Sequence, residues 1–109
     1  MDIIISNSSP IALYEQIENQ LKSQILNGKL KPGDPLPSIR TLARELKVSI
    51  ITSKRAYEEL EKDGFIQTVV GKGTFVSGAN SERLKEAAMA EMESKLEELI
   101  ISAKSLGLS

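Results

Sequence analysis

Two features of this 109-residue chain could bind an anion: a basic stretch and a single lysine between two glycines. Residues 40–55 contain five basic residues and one acidic residue. Further along, Lys72 lies between Gly71 and Gly73, where the absence of Cβ atoms lets the backbone approach a ligand closely. Cationic side chains presented in this way form charge-assisted hydrogen bonds to phosphate. An excess of four positive charges over sixteen residues is equally typical of a solvated surface, so the elements that position these residues must decide.

Two short helices are predicted over the basic stretch. Ser38 can cap the first helix, whose apolar residues recur every three or four positions and so form one buried face. This face consists of Ile39, Leu42, Ala43 and Leu46. After a short turn, Ser49 can cap a second helix that runs to about Asp63 and ends at Gly64. Such a pair is typical of a helix-turn-helix, in which the amino end of the second helix reads bases in the major groove, so we expect residues 49–55 to read DNA.

A β-hairpin is predicted directly after these helices. Residues 65–70 and 74–77 are rich in β-branched and aromatic side chains, and Gly71-Lys72-Gly73 between them suits a tight loop. An isolated Gly-Lys-Gly loop is most often a hairpin with a solvated lysine. Its position behind a helix-turn-helix instead favours a wing, with Lys72 reaching the phosphate backbone or the minor groove.

The upstream residues complete a small domain. An amphipathic helix is predicted from near residues 10–12 to Asn27-Gly28, with apolar positions at Leu13, Ile17, Leu21 and Ile25. Pro35 and Pro37 favour an extended backbone, in which Leu36 can form a minimal strand. The predicted fold is mainly α with a small β-hairpin (α+β): a winged helix-turn-helix over residues 10–78, followed by a helical segment over residues 79–109.

Composition excludes several function classes. The chain has 40% hydrophobic residues, enough for one small core, and contains no Cys and no His. Disulfides, the usual zinc sites and imidazole catalysis are therefore absent, and we expect no metal, no cofactor and no enzymatic activity. No apolar run approaches the roughly 18 residues of a membrane span, and the amino terminus lacks the basic start of a secretory signal. We therefore expect a cytoplasmic protein without membrane partners.

The carboxyl-terminal segment carries an apolar stripe at helical spacing. The stripe consists of Leu84, Ala88, Met92, Leu96, Leu99 and Ala103, on a helix capped by Asn80 or Ser81. About seven turns of stripe exceed what a domain of this size can cover, so we predict that the helix pairs with a second copy of the chain. The alternative is that it folds back onto its own domain.

Motifs along residues 10–78 resemble the DNA-binding domain of GntR-type bacterial transcription regulators. These motifs are Pro32-Gly33-Asp34, residues 36–43, residues 56–66 and residues 71–76. Residues 13–17 and the short tail are most similar to the YtrA branch, whose members carry only a small helical dimerisation region. In that branch a stretch like residues 106–109 normally caps a further helix, so the dimerisation segment is expected to be truncated.

The resemblance implies a set of DNA-binding residues. These are Arg40, Ser49, Thr52, Lys54, Gly71 and Lys72, with the wing in the minor groove, and their neighbours Ile50, Ile51 and Gly73 complete the predicted DNA-binding site. The chain departs from the family at Ile50 and Ile51, where a polar residue is usual, and at Ser53, where an apolar residue is usual. Isoleucine cannot hydrogen-bond to a base, although it can contact a thymine methyl group.

The implied function is a sequence-specific DNA-binding transcription regulator, specifically a repressor that binds an inverted-repeat operator as a homodimer. The alternative is a winged-helix module for protein–protein interaction, favoured if Ile50 and Ile51 form an exposed apolar patch. A tail this short implies no pocket for a small-molecule effector.

Overall fold

A computed structural model describes residues 2–78 and 81–107, excluding the side chains of residues 81–85 and 87. Its elements are α1 (Leu13–Leu26), β1 (Pro35–Leu36), α2 (Ile39–Leu46), α3 (Ile50–Lys62), β2 (Ile66–Val69), β3 (Gly73–Val76) and α4 (Ser81–Ser105). This order confirms the predicted fold class, a winged helix-turn-helix followed by a carboxyl-terminal helix.

The helix-turn-helix is bounded by the predicted caps. The Ser38 hydroxyl accepts a hydrogen bond from the Thr41 amide at 3.1 Å, and the Ser49 hydroxyl accepts one from the Thr52 amide at 3.0 Å. Each bond satisfies an amide that the first helical turn leaves without a partner. Lys47 ends α2 in the left-handed region (φ +56°), which turns the chain sharply towards α3.

One core joins the helices to the sheet. It consists of Ile17, Leu21, Leu36, Leu42, Ala56, Tyr57, Leu60, Phe65, Ile66 and Val76. Helix α3 packs against both α1 and α2, and it leads through Gly64 (φ +83°) into β2. Helix α3 therefore packs against two helices and one strand of the domain.

The sheet has three antiparallel strands in the order β1-β3-β2. Leu36 lies opposite Thr74 and is buried, which confirms the minimal strand predicted there. The hairpin loop is shifted by one residue from the prediction, since Gly73 pairs with Val69 and the loop comprises residues 70–72. Gly71 (φ +80°) is the third residue of the turn closed by the Lys72 amide and the Val69 carbonyl, a position that requires positive φ in a type II turn.

A ladder of glutamine side chains ties the amino-terminal segment to α1. Gln20 donates to the Ile4 carbonyl and accepts from the Ile4 amide (2.6 and 2.9 Å), and Gln16 makes the same pair of bonds with Ser6 at 2.9 Å. Gln24 donates to the Asp2 carbonyl. The four-residue spacing along the helix matches the two-residue spacing along the extended segment, because four helical residues rise about 6 Å and two extended residues about 6.6 Å.

Helix α4 extends from the domain as a rod of 25 residues, about 37 Å long. Its predicted cap at Asn80 and the side chain of Leu84 lie outside the described residues. Within residues 2–78 and 81–107, no helix is both long and apolar enough to cross a membrane.

Candidate nucleic-acid interface

The relative placement of α2 and α3 depends on a tyrosine in α3. The Tyr57 hydroxyl donates a 2.6 Å hydrogen bond to the carbonyl oxygen of Pro37, the residue before the N-cap of α2. Burial raises the pKa of Tyr57, and the nearby carboxylate of Glu45 adds to the effect, so the phenol stays protonated as a donor. The structure thereby assigns Tyr57 a positioning function that periodicity could not reveal, since its spacing indicates only a core residue.

The amino end of α3 presents two apolar side chains between two hydroxyls. Ile50 and Ile51 are 49% and 80% exposed. Ser49 and Thr52 flank them, and the Ser49 hydroxyl donates to the Thr52 hydroxyl at 2.9 Å while capping the helix. The hydrogen of the Thr52 hydroxyl remains free to donate to an acceptor such as a phosphate oxygen.

The two basic residues that follow in α3 have different surroundings. Lys54 is exposed, as the prediction of a DNA-binding role requires. Arg55 instead lies over the Tyr14 ring, 4.5 Å from its centroid, and contacts Glu59 at 3.5 Å. Arg55 therefore links α3 to α1 by a cation–π contact and is less available to a ligand than its sequence position indicates.

Ser53 lies on the buried face of α3. Its side chain is fully buried, and its hydroxyl has no hydrogen-bond partner among the described residues. An unpaired buried hydroxyl destabilises the fold, so the family's usual apolar residue would suit this position better. With serine at position 53, α3 still packs against α1 and α2.

The remaining predicted contacts lie on α2 and the wing. Arg40 is exposed in the first turn of α2, and Gly71, Lys72 and Gly73 are exposed on the wing. In the described part of the chain, no atom outside the neighbouring residues lies within 4 Å of where a Cβ would stand on Gly71 or Gly73. A larger residue at either position would therefore meet backbone strain (φ +80° and +122°) but no steric clash. Val70, beside them, is 97% exposed, which the prediction of a β-strand through residue 70 had not indicated.

The stripe on α4 remains largely exposed in the single chain. Met92, Leu96 and Leu99 are 68%, 59% and 67% exposed, whereas Ala88 and Ala103 are partly buried. Ala88 and Met92 also line an open cleft towards α1.

Three further large apolar residues of α4 are exposed and lie outside the predicted stripe: Met89, Ile100 and Ile101. Met89 lies seven residues before Leu96 and three before Met92, the alternating spacing of a coiled coil. A heptad repeat that includes Met92 and Leu96 predicts Met89, whereas the predicted stripe reaches Met92 from Ala88, four residues before it.

The acidic side chains of the described ranges are the candidates for a metal site. Among the residues that the structure describes, no group of three or more His, Cys, Asp or Glu side chains could hold a metal ion.

Comparison with known proteins shows the family of this chain. The model of the family "Bacterial regulatory proteins, gntR family" matches residues 13–76. The HTH-type transcriptional repressor YtrA of Bacillus subtilis (strain 168) is 41% identical over 106 residues, which cover 97% of this chain and 82% of YtrA. The crystal structure of a transcriptional antiterminator from Listeria monocytogenes EGD-e has a TM-score of 0.84 at 35% identity, and the match covers 100% of this chain and 81% of that one.

A third similar structure includes DNA. The AraR DNA-binding domain in complex with operator ORX1 has a TM-score of 0.62 at 26% identity, and the match covers 71% of this chain and 96% of that domain. The resemblance inferred from the sequence motifs is thus confirmed by the family match, by the identity to YtrA and by the fold. This chain belongs to the GntR family of bacterial regulatory proteins and is a DNA-binding transcription regulator.

Proposed function

We propose that this regulator is a cytoplasmic repressor that binds an inverted-repeat operator as a homodimer and thereby excludes RNA polymerase from a promoter. The observation that carries the proposal is the combination of a capped recognition helix with an apolar stripe on α4 that the chain leaves uncovered. Its relative YtrA is named a transcriptional repressor, which supports repression over activation.

The recognition helix is proposed to enter the major groove with Ser49, Ile50, Ile51, Thr52 and Lys54. In a helix-turn-helix the first helix crosses the backbone, which assigns Arg40 of α2 to a phosphate. Gly71, Lys72 and Gly73 of the wing are proposed to contact the minor groove and its phosphates. In this arrangement the basic side chains bind phosphates and fix the position of the protein, and the amino end of α3 contacts the bases.

The stripe of α4 is proposed to be the dimer interface, comprising Leu84, Ala88, Met92, Leu96, Leu99 and Ala103, extended by Met89 and Ile100. The high exposure of Met92, Leu96 and Leu99 speaks against the alternative in which α4 folds back onto its own domain. A contiguous apolar surface of this length is typical of a helix that pairs with another helix. A two-fold dimer then presents two recognition helices to two half-sites related by the same symmetry.

A protein–protein interaction module is the second candidate, and one observation favours it: Ile50 and Ile51 are indeed exposed. The likeness to a DNA-bound domain and the repressor names of relatives favour DNA instead. Both readings use the same surface, so a binding experiment must separate them.

The test is fluorescence anisotropy with the full chain and a duplex that covers its own promoter region, at about 50 and 200 mM salt. We expect binding whose affinity falls by a factor on the order of 10³ or more across this range, because each neutralised phosphate releases counterions. An unrelated duplex of equal length is the control and should bind much more weakly at the higher salt. Absence of binding at both concentrations, or an affinity insensitive to salt, would overturn the proposal and favour the protein-contact module.

A further inference from the structure

We propose that Ile50 and Ile51 recognise the C5-methyl groups of thymine, so that each operator half-site presents thymine opposite the amino end of α3. The inference rests on the proposed function, since it takes α3 to be the helix that enters the groove. DNA binding alone leaves open which chemical features of the bases this helix reads.

Both isoleucines occupy the part of α3 that reaches base edges in a helix-turn-helix complex. Ser49 is the N-cap, so Ile50 and Ile51 are the first two helical residues. Their exposed fractions of 49% and 80% mean that neither side chain is needed to complete the core of its own domain. The two side chains are available to a partner in the free protein.

The hydroxyls next to them are partly engaged within the chain, and the Thr52 hydroxyl keeps its own hydrogen for an acceptor such as a phosphate oxygen. The hydroxyls of Ser49 and Thr52 bond to each other at 2.9 Å, and the Ser49 hydroxyl also accepts from the Thr52 amide. Arg55 follows Ile51 on the same helix face, one turn later, but it is held by Tyr14 and Glu59. The exposed hydrocarbon at the amino end of α3 is therefore that of Ile50 and Ile51, and its hydroxyl and cationic neighbours suit phosphates.

Hydrocarbon can select thymine because of what each base displays. In the major groove every base shows hydrogen-bonding groups, and thymine alone adds a methyl group. An isoleucine placed against a carbonyl or amino group would remove water from that group without replacing its hydrogen bond, which is unfavourable. Placed against a methyl group, the same side chain removes apolar surface from water on both sides, which is favourable.

The surroundings of the isoleucine pair fit DNA better than an apolar protein surface. The nearest charged residues along the chain are Glu45 and four basic residues, all exposed: Arg44, Lys47, Lys54 and Arg55. A duplex offers phosphates and thymine methyl groups within one surface. A protein partner would need an apolar site bordered by several acidic side chains.

The experiment removes one methyl group at a time. The full chain first selects its site from a random duplex library, and each thymine of the selected half-site is then replaced by deoxyuridine, which lacks only the methyl group. We expect one or two positions at which this replacement weakens binding about fourfold, the value for one buried methyl group. At those positions, Ile51→Ala or Ile50→Ala should bind the thymine and deoxyuridine duplexes equally well.

The matched control is Ile4→Ala, since Ile4 is 82% exposed on the amino-terminal segment and should respond to deoxyuridine as the wild type does. The inference would be overturned if deoxyuridine weakened binding equally in the wild type and both α3 variants, or if it weakened binding at no position. In either case, salt-dependent binding of the wild type would still support the proposed function. Failure of the wild type to select any duplex would overturn both. Because Ile50 and Ile51 are exposed, their alanine variants should melt within a few degrees of the wild type, and this is checked first.

Discussion

The Tyr57 hydroxyl and the Pro37 carbonyl oxygen lie 2.6 Å apart, which connects the middle of the recognition helix to the entry of α2. Tyr57 is 4% exposed, so this bond forms away from water. Buried hydrogen bonds of this kind hold two elements in one relative orientation, because breaking them leaves a carbonyl without a partner. The angle between α2 and α3 therefore depends on a single side-chain atom as well as on apolar packing.

Replacing Tyr57 with Phe should lower the free energy of unfolding by about 1–2 kcal/mol, because the Pro37 carbonyl is left unpaired while the ring still fills the core. Urea denaturation followed by circular dichroism measures the change. Tyr14→Phe is the control, since the Tyr14 hydroxyl bonds an exposed carboxylate, Glu15. Equal stability of the Tyr57→Phe variant and the wild type would contradict the positioning function.

The same variant should also alter the alkaline limit of stability. The folded state raises the pKa of Tyr57 above its usual 10.0. The protonated phenol therefore contributes its full share of the free energy of unfolding below pH 10.0, and this contribution is lost as the pH rises further. Burial alone lowers the pKa of Lys22, but its ion pairs with Glu18 and Asp63 raise it overall. Lys22 therefore also loses its contribution to stability as the pH rises. Tyr57→Phe should therefore reduce the decline between about pH 10 and 12 without abolishing it.

Replacing Lys72 with Ala should weaken DNA binding to a similar degree for all sequences and reduce the slope of log affinity against log salt by about one. The reason is that an ammonium group at the wing tip is proposed to neutralise one phosphate. Anisotropy titrations at four salt concentrations measure the slope. Lys95→Ala, on α4, serves as the charge-matched control, and a loss restricted to the operator would contradict the phosphate assignment.

Replacing Met92 and Leu96 with Glu should produce monomers with much poorer operator affinity, because charges would then occupy the apolar face proposed to join the two chains. Analytical ultracentrifugation measures the mass. Ala90→Glu with Ser94→Glu adds the same charge on the opposite side of α4, since two residues correspond to about 200° of helix. A double variant at positions 92 and 96 that sediments like the wild type would refute the stripe as the interface.

Replacing Ser53 with Ala should raise the free energy of unfolding by about 1 kcal/mol, because the buried hydroxyl has no partner in the described part of the chain and alanine favours helix more. For a domain of this size that corresponds to roughly 4–8 °C in Tm. Ser49→Ala should have the opposite effect, because it removes the cap of α3 and should lower the free energy of unfolding by about 1 kcal/mol. A lower Tm for Ser53→Ala would indicate that the hydroxyl does find a partner.

Replacing Gln20 with Ala should release the amino-terminal segment, because both hydrogen bonds to the Ile4 backbone disappear. We expect faster amide hydrogen exchange at Ile4 and a loss of stability of about 1 kcal/mol. Asn19→Ala alters an exposed neighbour on the same helix and should leave exchange at Ile4 unchanged. Unaltered exchange in the Gln20 variant would show that packing of Ile3 and Ile5 suffices to hold the segment.

Much of the fold could be predicted because its signals are local. Ser38 and Ser49 cap their helices, Gly64 ends α3 and Leu36 forms a strand, and each depends only on residues within one turn or one strand. The loop of the wing was misplaced by one residue, because the glycines on both sides of Lys72 fit a turn equally well. Pairing of Gly73 with Val69 decides between the two registers, and pairing is a property of two strands together.

The candidate site was also predictable only in part. The sequence by itself determined the kind of partner, since capped helices, a glycine-bounded lysine and family motifs all lie within short stretches of chain. Only the tertiary structure decided what each side chain contacts: Arg55, although 56% exposed, lies over Tyr14 and contacts Glu59, whereas Ile51 is 80% exposed. It also revealed the bond from Tyr57 to Pro37 and the glutamine ladder. The physical reason is that local sequence specifies backbone conformation within a few residues, while the availability of a side chain depends on neighbours that only folding brings into contact.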